Sequence, residues 1–203
     1  LEPSDSYKTI AKPSEETLLK EKSSKFFGYA FPIEKEEDVI KCLETLKHKH
    51  KTARHFCYAY QLGTETIHYR ANDDGEPSNS AGMPIYGQIQ SFEITNVLVV
   101  VVRYFGGTKL GVGGLIIAYK TSAKETLEAS EIITKTIDDT FQITFDYKNM
   151  NKVMRVIKEK QLHILEQKMA LDCSILISVR KNNAEEIQSI FESIYEVSIQ
   201  SIY

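Results

Sequence analysis

The chain has 203 residues, 42% of them hydrophobic and 26% charged, a composition that excludes a wholly disordered protein at a length that allows one large domain or two small ones. Its longest apolar run, Val97–Val102, has strand length and falls far short of the roughly 20 residues of a bilayer-spanning helix. Net charge is −3, and residues 1–135 (17 basic, 18 acidic) and 136–203 (8 basic, 10 acidic) are each near balance, so any case for nucleic-acid binding must rest on a local patch.

In chain order, residues 24–33 read as a strand. Residues 35–51 read as a helix, with Val39, Cys42, Leu43 and Leu46 at i, i+3, i+4 and i+7. Residues 54–62 and 66–71 are expected as strands of a hairpin turning at Gly63-Thr64. Ser78 or Ser80 is placed to cap a short helix running to about Gln90. Residues 95–104 form a strand, and four consecutive valines suit a position covered on both faces. A helix follows from about Gly111 to Ala129. Phe141, Ile143, Phe145 and Tyr147 then alternate as one strand. Met150, Val153, Met154 and Ile157 have helical spacing, residues 162–170 and 172–180 read as strands, and Ile187, Ile190, Phe191 and Ile194 mark a helix before a last strand at 195–202. This order, βαββαβ, is the split βαβ pattern of a ferredoxin-like domain.

Glycine and proline punctuate only part of the chain. Eight of the ten glycines fall between Gly75 and Gly114, and nothing beyond Gly114 is glycine or proline. The domain join is expected at residues 132–138, dividing the chain into 1–135 and 136–203. Cys42, Cys57 and Cys173 are far apart, with no CxxC or HxxxH spacing, so neither a disulfide framework nor a zinc site is expected. No apolar leader opens the sequence, and a cytoplasmic location without membrane partners is expected.

Four segments carry possible chemistry. Arg103–Gly114 (RYFGGTKLGVGG) follows a buried strand and opens a helix. Its glycines let backbone N–H groups approach a ligand, a helix N-terminus favours anions, and Arg103, Thr108 and Lys109 add charge and a hydroxyl. The spacing matches neither a Walker A motif nor GxGxxG, and a tight helix–sheet contact would also require small residues. The glycines divide by expected role: strain at Gly106 or Gly107, ligand contact at Gly111, Gly113 and Gly114. Asn72–Gly82 concentrates Asp73, Asp74 and Glu76, weak candidates for a general base or cation site. A turn built on Gly75, Pro77, Ser78 and Ser80 explains the segment without metal, and no metal is expected. The basic run Lys47–His55 fits either a solvated helix C-terminus or contact with phosphate. His55 and Cys57, two apart on a strand, share a face and raise a Cys–His nucleophile, against which a buried thiol that merely packs is the commoner case.

Taken together, Lys22–Ile33, Ala53–Tyr60, Asp73–Ile85 and Val101–Tyr119 resemble the IMPACT/YigZ family along the whole chain. The resemblance implies an α+β, two-domain protein. Its N-terminal domain would be an α+β sandwich like the second domain of a small-subunit ribosomal protein, a fold related to elongation factor G domain IV, the ribonuclease P protein and galactokinase-type kinases. A ferredoxin-like domain would follow. Two positions depart from the family pattern: Asn79-Ser80 stand where Gly-Thr is usual, and Lys25 stands where Arg is common. Eukaryotic members act in translational control by competing for a partner of the amino-acid-starvation kinase. The expectation is therefore a binding or regulatory module without a cofactor, contacting RNA, the ribosome or a translation-related protein. Its contact residues would be Arg54, His55, Arg103, Gly106, Gly107, Thr108, Lys109, Gly111, Gly113 and Gly114. An enzyme acting on a phosphorylated small molecule through the acidic and glycine-rich segments is the alternative.

Overall fold

The computed structural model describes residues 5–170 and 172–202. Residues 1–4, which the sequence places in the first domain, lie outside the described residues, as do Leu171 and Tyr203. The elements are β1 (Ser6–Ile10), β2 (Thr17–Glu21), β3 (Ser24–Pro32), α1 (Glu36–Lys49), β4 (His55–Leu62), β5 (His68–Asn72), α2 (Gly82–Ser91), β6 (Val97–Tyr104), α3 (Gly111–Glu128), β7 (Ile132–Thr136), β8 (Asp138–Asp146), α4 (Met150–Glu159), β9 (His163–Lys168), β10 (Asp172–Arg180), α5 (Ala184–Glu192) and β11 (Val197–Ile202). The architecture is α+β. Two compact units divide it: Tyr7–Lys135, and the residues from Thr136 onward together with Asp5 and Ser6.

The first unit is built on a five-stranded sheet, β2-β3-β6-β4-β5, in which every pairing is antiparallel. β6 lies at its centre. Val97, Val99 and Val101 join a core with residues of α2 and α3, whereas Leu98, Val100 and Val102 join one with Val39 and Leu46 of α1. Helices thus cover both faces, which is why an unbroken valine run is stable there. On β4 the same alternation sends Cys57 and Ala59 toward α2 and α3, and Phe56 and Tyr60 toward α1. Where α3 crosses the β2–β3 edge, the side-chain oxygens of Thr126 on α3 and Thr17 on β2 meet at 2.7 Å.

In the second unit the sheet order is β11-β8-β10-β9, again antiparallel. Counted within the unit this is 4-1-3-2, and with βαββαβ connectivity it is ferredoxin-like. Phe141, Ile143 and Phe145 of β8 face Val153 and Ile157 of α4 and Ile187 and Phe191 of α5 in one core. Tyr147 departs from the expected alternation. The strand ends at Asp146, Tyr147 opens a single 3-10 turn leading into α4, and its side chain is exposed. Strands β1, β2 and β7 have no counterpart in the hydrophobic periodicity. Each is five residues long and mostly polar, and β1 and β7 pair as a separate two-stranded sheet.

Candidate functional site

Antiparallel register sets Phe26, Arg103 and His55 side by side at one end of the sheet. Alternation turns all three toward the α2/α3 side. Arg103 is tightly held there. Its Nη1 donates to Glu76 Oε1 at 2.6 Å, and Tyr119 donates its hydroxyl to the same oxygen at 2.8 Å. The guanidinium carbon lies 5.5 Å from the ring centroids of both Phe26 and Phe105. Side-chain exposure is 7% for Arg103 and 4% for Glu76. Burying such a pair costs desolvation, which the charge-assisted bond and the tyrosine hydroxyl offset. Burial pushes the Tyr119 hydroxyl far above its ordinary range, with the neighbouring Cys57 and Glu76 acting the same way, so it stays a donor. Arg103 Nε is buried without a hydrogen-bond partner among the described residues.

The acidic turn is organised inward. Asp73 accepts the N–H of Asn79 at 2.8 Å on one oxygen and those of Ala81 and Gly82, both at 2.9 Å, on the other. Asp74 accepts the Phe56 N–H at 2.6 Å, and its own N–H donates to the Asn72 side chain at 2.8 Å. Glu76 is the Arg103 partner. The three weak catalytic candidates are therefore directed at separate protein donors. Neither Ser78 nor Ser80 caps α2: the helix starts after Ala81, its leading N–H groups go to Asp73, and Ser80 Oγ donates to the Pro77 carbonyl at 2.6 Å. A carboxylate from outside the helix outcompetes the neighbouring hydroxyls because it is charged and accepts from several N–H groups at once. Asp74, Gly75 and Asn79 have φ of 40°, 85° and 59°. Asn tolerates this left-handed backbone, so the turn accommodates the departure from the family's usual Gly.

His55 and Cys57 share a face but form no pair. His55 Nδ1 donates to the Asp74 carbonyl at 2.9 Å. Cys57 Sγ lies 3.0 Å from the Asp73 carbonyl oxygen and 3.2 Å from the Tyr119 hydroxyl, and burial pushes its thiol far up. A thiol held protonated is not a nucleophile. The basic run also divides. Lys49 pairs with Glu16 at 2.8 Å, and His50 is buried between Tyr29 and Tyr104. Of its members, Arg54 and His55 are the ones that line the hollow where Arg103 lies.

The glycine-rich segment is constrained in different ways along its length. A Cβ on Gly106 would sit 2.0 Å from the Ser23 carbonyl oxygen. Gly107 and Gly111 adopt φ of 89° and 73°, so Gly111 belongs with the strained positions rather than with ligand contact alone. Gly114 lies against Leu110, whereas a Cβ on Gly113 would meet nothing within 4 Å. Among the described residues, no side chain caps the N-terminus of α3.

Arg54, His55, Arg103, Lys109 and Gly111 line one cavity of about 450 Å³ together with Glu76 and Pro77. Asp73, Asp74, Gly75, Ser78, Ser80, Gly106, Gly107, Thr108, Gly113 and Gly114 stand outside its wall. The remaining wall, from Phe105, Leu110, Val112 and Leu115, is apolar and was not among the expected site residues. The available signal was Phe105 itself, a large aromatic set beyond the end of a strand; it is 55% exposed. Two smaller cavities adjoin. One, of about 310 Å³, adds Thr52 and Tyr104 to Arg54, His55, Arg103 and Phe105. The other, of about 300 Å³, is lined by Ser23, Lys25, Phe27, Tyr104 and Phe105.

The segments that build this site lie inside a match to the Impact N-terminal domain over residues 22–127. The chain is similar to the IMPACT family member YvyE of Bacillus subtilis, 33% identical over 161 residues covering 79% of this chain and 74% of that one. It is 31% identical over 170 residues to an IMPACT family member of Haemophilus influenzae, covering 83% and 82%. A crystal structure of a hypothetical protein shares the fold across 99% of both chains, with a TM-score of 0.75 at 22% identity. With a domain match over more than half its length and relatives matched along most of theirs, the chain belongs to the IMPACT family.

Proposed function

We propose that the chain is a binding and regulatory module whose N-terminal unit takes an anionic partner, RNA or the ribosome before a translation-related protein. One observation carries this: Arg54, His55, Arg103 and Lys109, from two segments far apart in sequence, converge on one cavity at the N-terminus of α3, which has no side-chain cap among the described residues. Arg54 and Lys109 have no carboxylate partner among the described residues, so their charge is available to phosphate. The translational role that the family resemblance implies supports a regulatory module, and the cations of this cavity are what favour RNA or the ribosome over a protein partner. No geometry favours turnover of a phosphorylated small molecule, since Asp73, Asp74 and Glu76 are each engaged by protein donors.

Titrating labelled RNA and purified ribosomes with the full chain at low salt tests the proposal. The Arg54→Ala/Lys109→Ala double variant should bind more weakly. For each phosphate it no longer neutralises, its salt slope should flatten by about 0.7 on a single strand and about 0.9 on a duplex. Arg103 is left intact, because its removal would strand the buried Glu76. Wild-type protein that binds neither RNA nor ribosomes at low salt overturns the proposal.

A further inference from the structure

Phe105 is the shared wall of all three adjoining cavities. It is a ridge between concavities, 55% exposed, with the Arg103 guanidinium 5.5 Å from its ring. A large aromatic left more than half exposed at the junction of three hollows offers ring surface for stacking. Each hollow carries a cation beside the ring: Lys25 in one, Arg54 in the next, and Arg54 with Lys109 in the largest. None of the three has a carboxylate partner among the described residues. Cations and one ring thus share a set of adjoining hollows, which suits a polyanion that carries flat groups as well as charges.

Building on the proposed binding of an anionic partner, we infer that the ligand is single-stranded nucleic acid, with one base stacked on Phe105 and the neighbouring phosphates held by the cations of the flanking cavities. Duplex is disfavoured because its base faces are already stacked, and its readable edges and phosphates do not present a ring to a protruding aromatic. An acidic peptide would satisfy the cations but leave the ring face unused. Arg103 has a positioning role: close to the rings of both Phe26 and Phe105 and tied to Glu76, it supports the platform while Lys25, Arg54 and Lys109 meet the strand. Stacking on a side chain carries little base preference, since every base has a π-face. The site should therefore be sequence-tolerant.

The test is fluorescence anisotropy with the full chain at low salt, using a labelled single-stranded oligouridine, a duplex of equal length and a polyglutamate peptide. The single strand should bind at least about tenfold tighter than the duplex, and polyglutamate should not compete at equal charge. Phe105→Ala and Phe105→Leu should each weaken single-strand binding by roughly 5- to 100-fold, with Phe105→Trp restoring it. Leu keeps apolar bulk beside Arg103, so weaker binding by that variant at an unchanged melting temperature separates stacking from support of the fold. Equal binding of duplex and single strand, with Phe105→Leu unaffected, overturns the stacked-base inference while leaving the anionic-partner proposal standing. Competition by polyglutamate at equal charge overturns it in favour of an acidic protein segment. Failure to bind any nucleic acid removes the inference together with the RNA proposal beneath it.

Discussion

The acidic turn from Asn72 to Gly82 and the glycine-rich segment from Phe105 to Gly114 meet at the same end of the same sheet, yet their polar groups are used in opposite ways. In the turn, Asp73 holds three backbone N–H groups, Asp74 holds one, and Glu76 takes Arg103 and Tyr119. In the glycine-rich segment Lys109 has no carboxylate partner among the described residues, α3 begins without a side-chain cap, and Phe105 stands open to solvent. In sequence the two look equally rich in chemistry. What separates them is whether each group's hydrogen-bonding and charge requirements are met within the fold. A satisfied carboxylate cluster builds the site wall, and an unsatisfied cationic and aromatic one is free to meet a partner.

The sharpest way to break that contrast is to treat Glu76 as replaceable. Glu76→Ala leaves Arg103 charged, buried and uncompensated, and should cost about 3–5 kcal/mol in denaturant unfolding. A variant as stable as wild type would mean that the acidic turn is not structural and would reopen a chemical role for it. A smaller effect should distinguish glycines within one segment. Gly106→Ala drives a methyl into the Ser23 backbone and should destabilise by about 1–3 kcal/mol. Gly113→Ala meets open space at an ordinary helical position and should be neutral or stabilising by up to about 1 kcal/mol. If Gly113→Ala nevertheless weakens RNA binding, bare backbone at the start of α3 is part of the contact. If it leaves binding intact, the contact lies with the side chains.

The smallest effect is a pH dependence behind the site. Tyr104 donates to His50 Nδ1 at 2.9 Å, His50 Nε2 donates to the Tyr29 hydroxyl at 2.5 Å, and Tyr29 donates to Glu16. Burial holds the His50 pKa below its ordinary value, the Glu16 charge opposing the shift and the Lys49 charge adding to it. Below the unfolded pKa of about 6.5 the unfolded chain binds a proton that the folded chain resists, so folding stability falls as pH drops toward the folded value. The contribution is fully present above that window. Melting temperatures followed from pH 7.5 to 5.5 should decline less in His50→Gln than in wild type. Parallel curves would show that His50 does not carry the dependence.

The elements that periodicity marks are those whose burial is decided within one segment. Alternation on β8 and β10 and the i, i+3, i+4 stripes on α4 and α5 carry the βαββαβ order of the second unit, and four valines announce a strand covered on both faces. The resemblance to a known family rests on contiguous motifs and is equally a property of the sequence. Short polar strands such as β1, β2 and β7 leave no such mark, because their partners rather than their own pattern hold them in place. The capping of α2 by Asp73, nine residues before Gly82, could not be read locally when two serines stood closer. The same holds for the site. Residue types made Arg54, His55, Arg103 and Lys109 candidates, but a cation's role depends on which charges lie beside it. Only the fold pairs Arg103 with Glu76, 27 positions away, while leaving Arg54 and Lys109 without a carboxylate partner among the described residues. Only the fold lifts Phe105 into the junction of three cavities, because exposure is a property of packing and no spacing in a single strand encodes it.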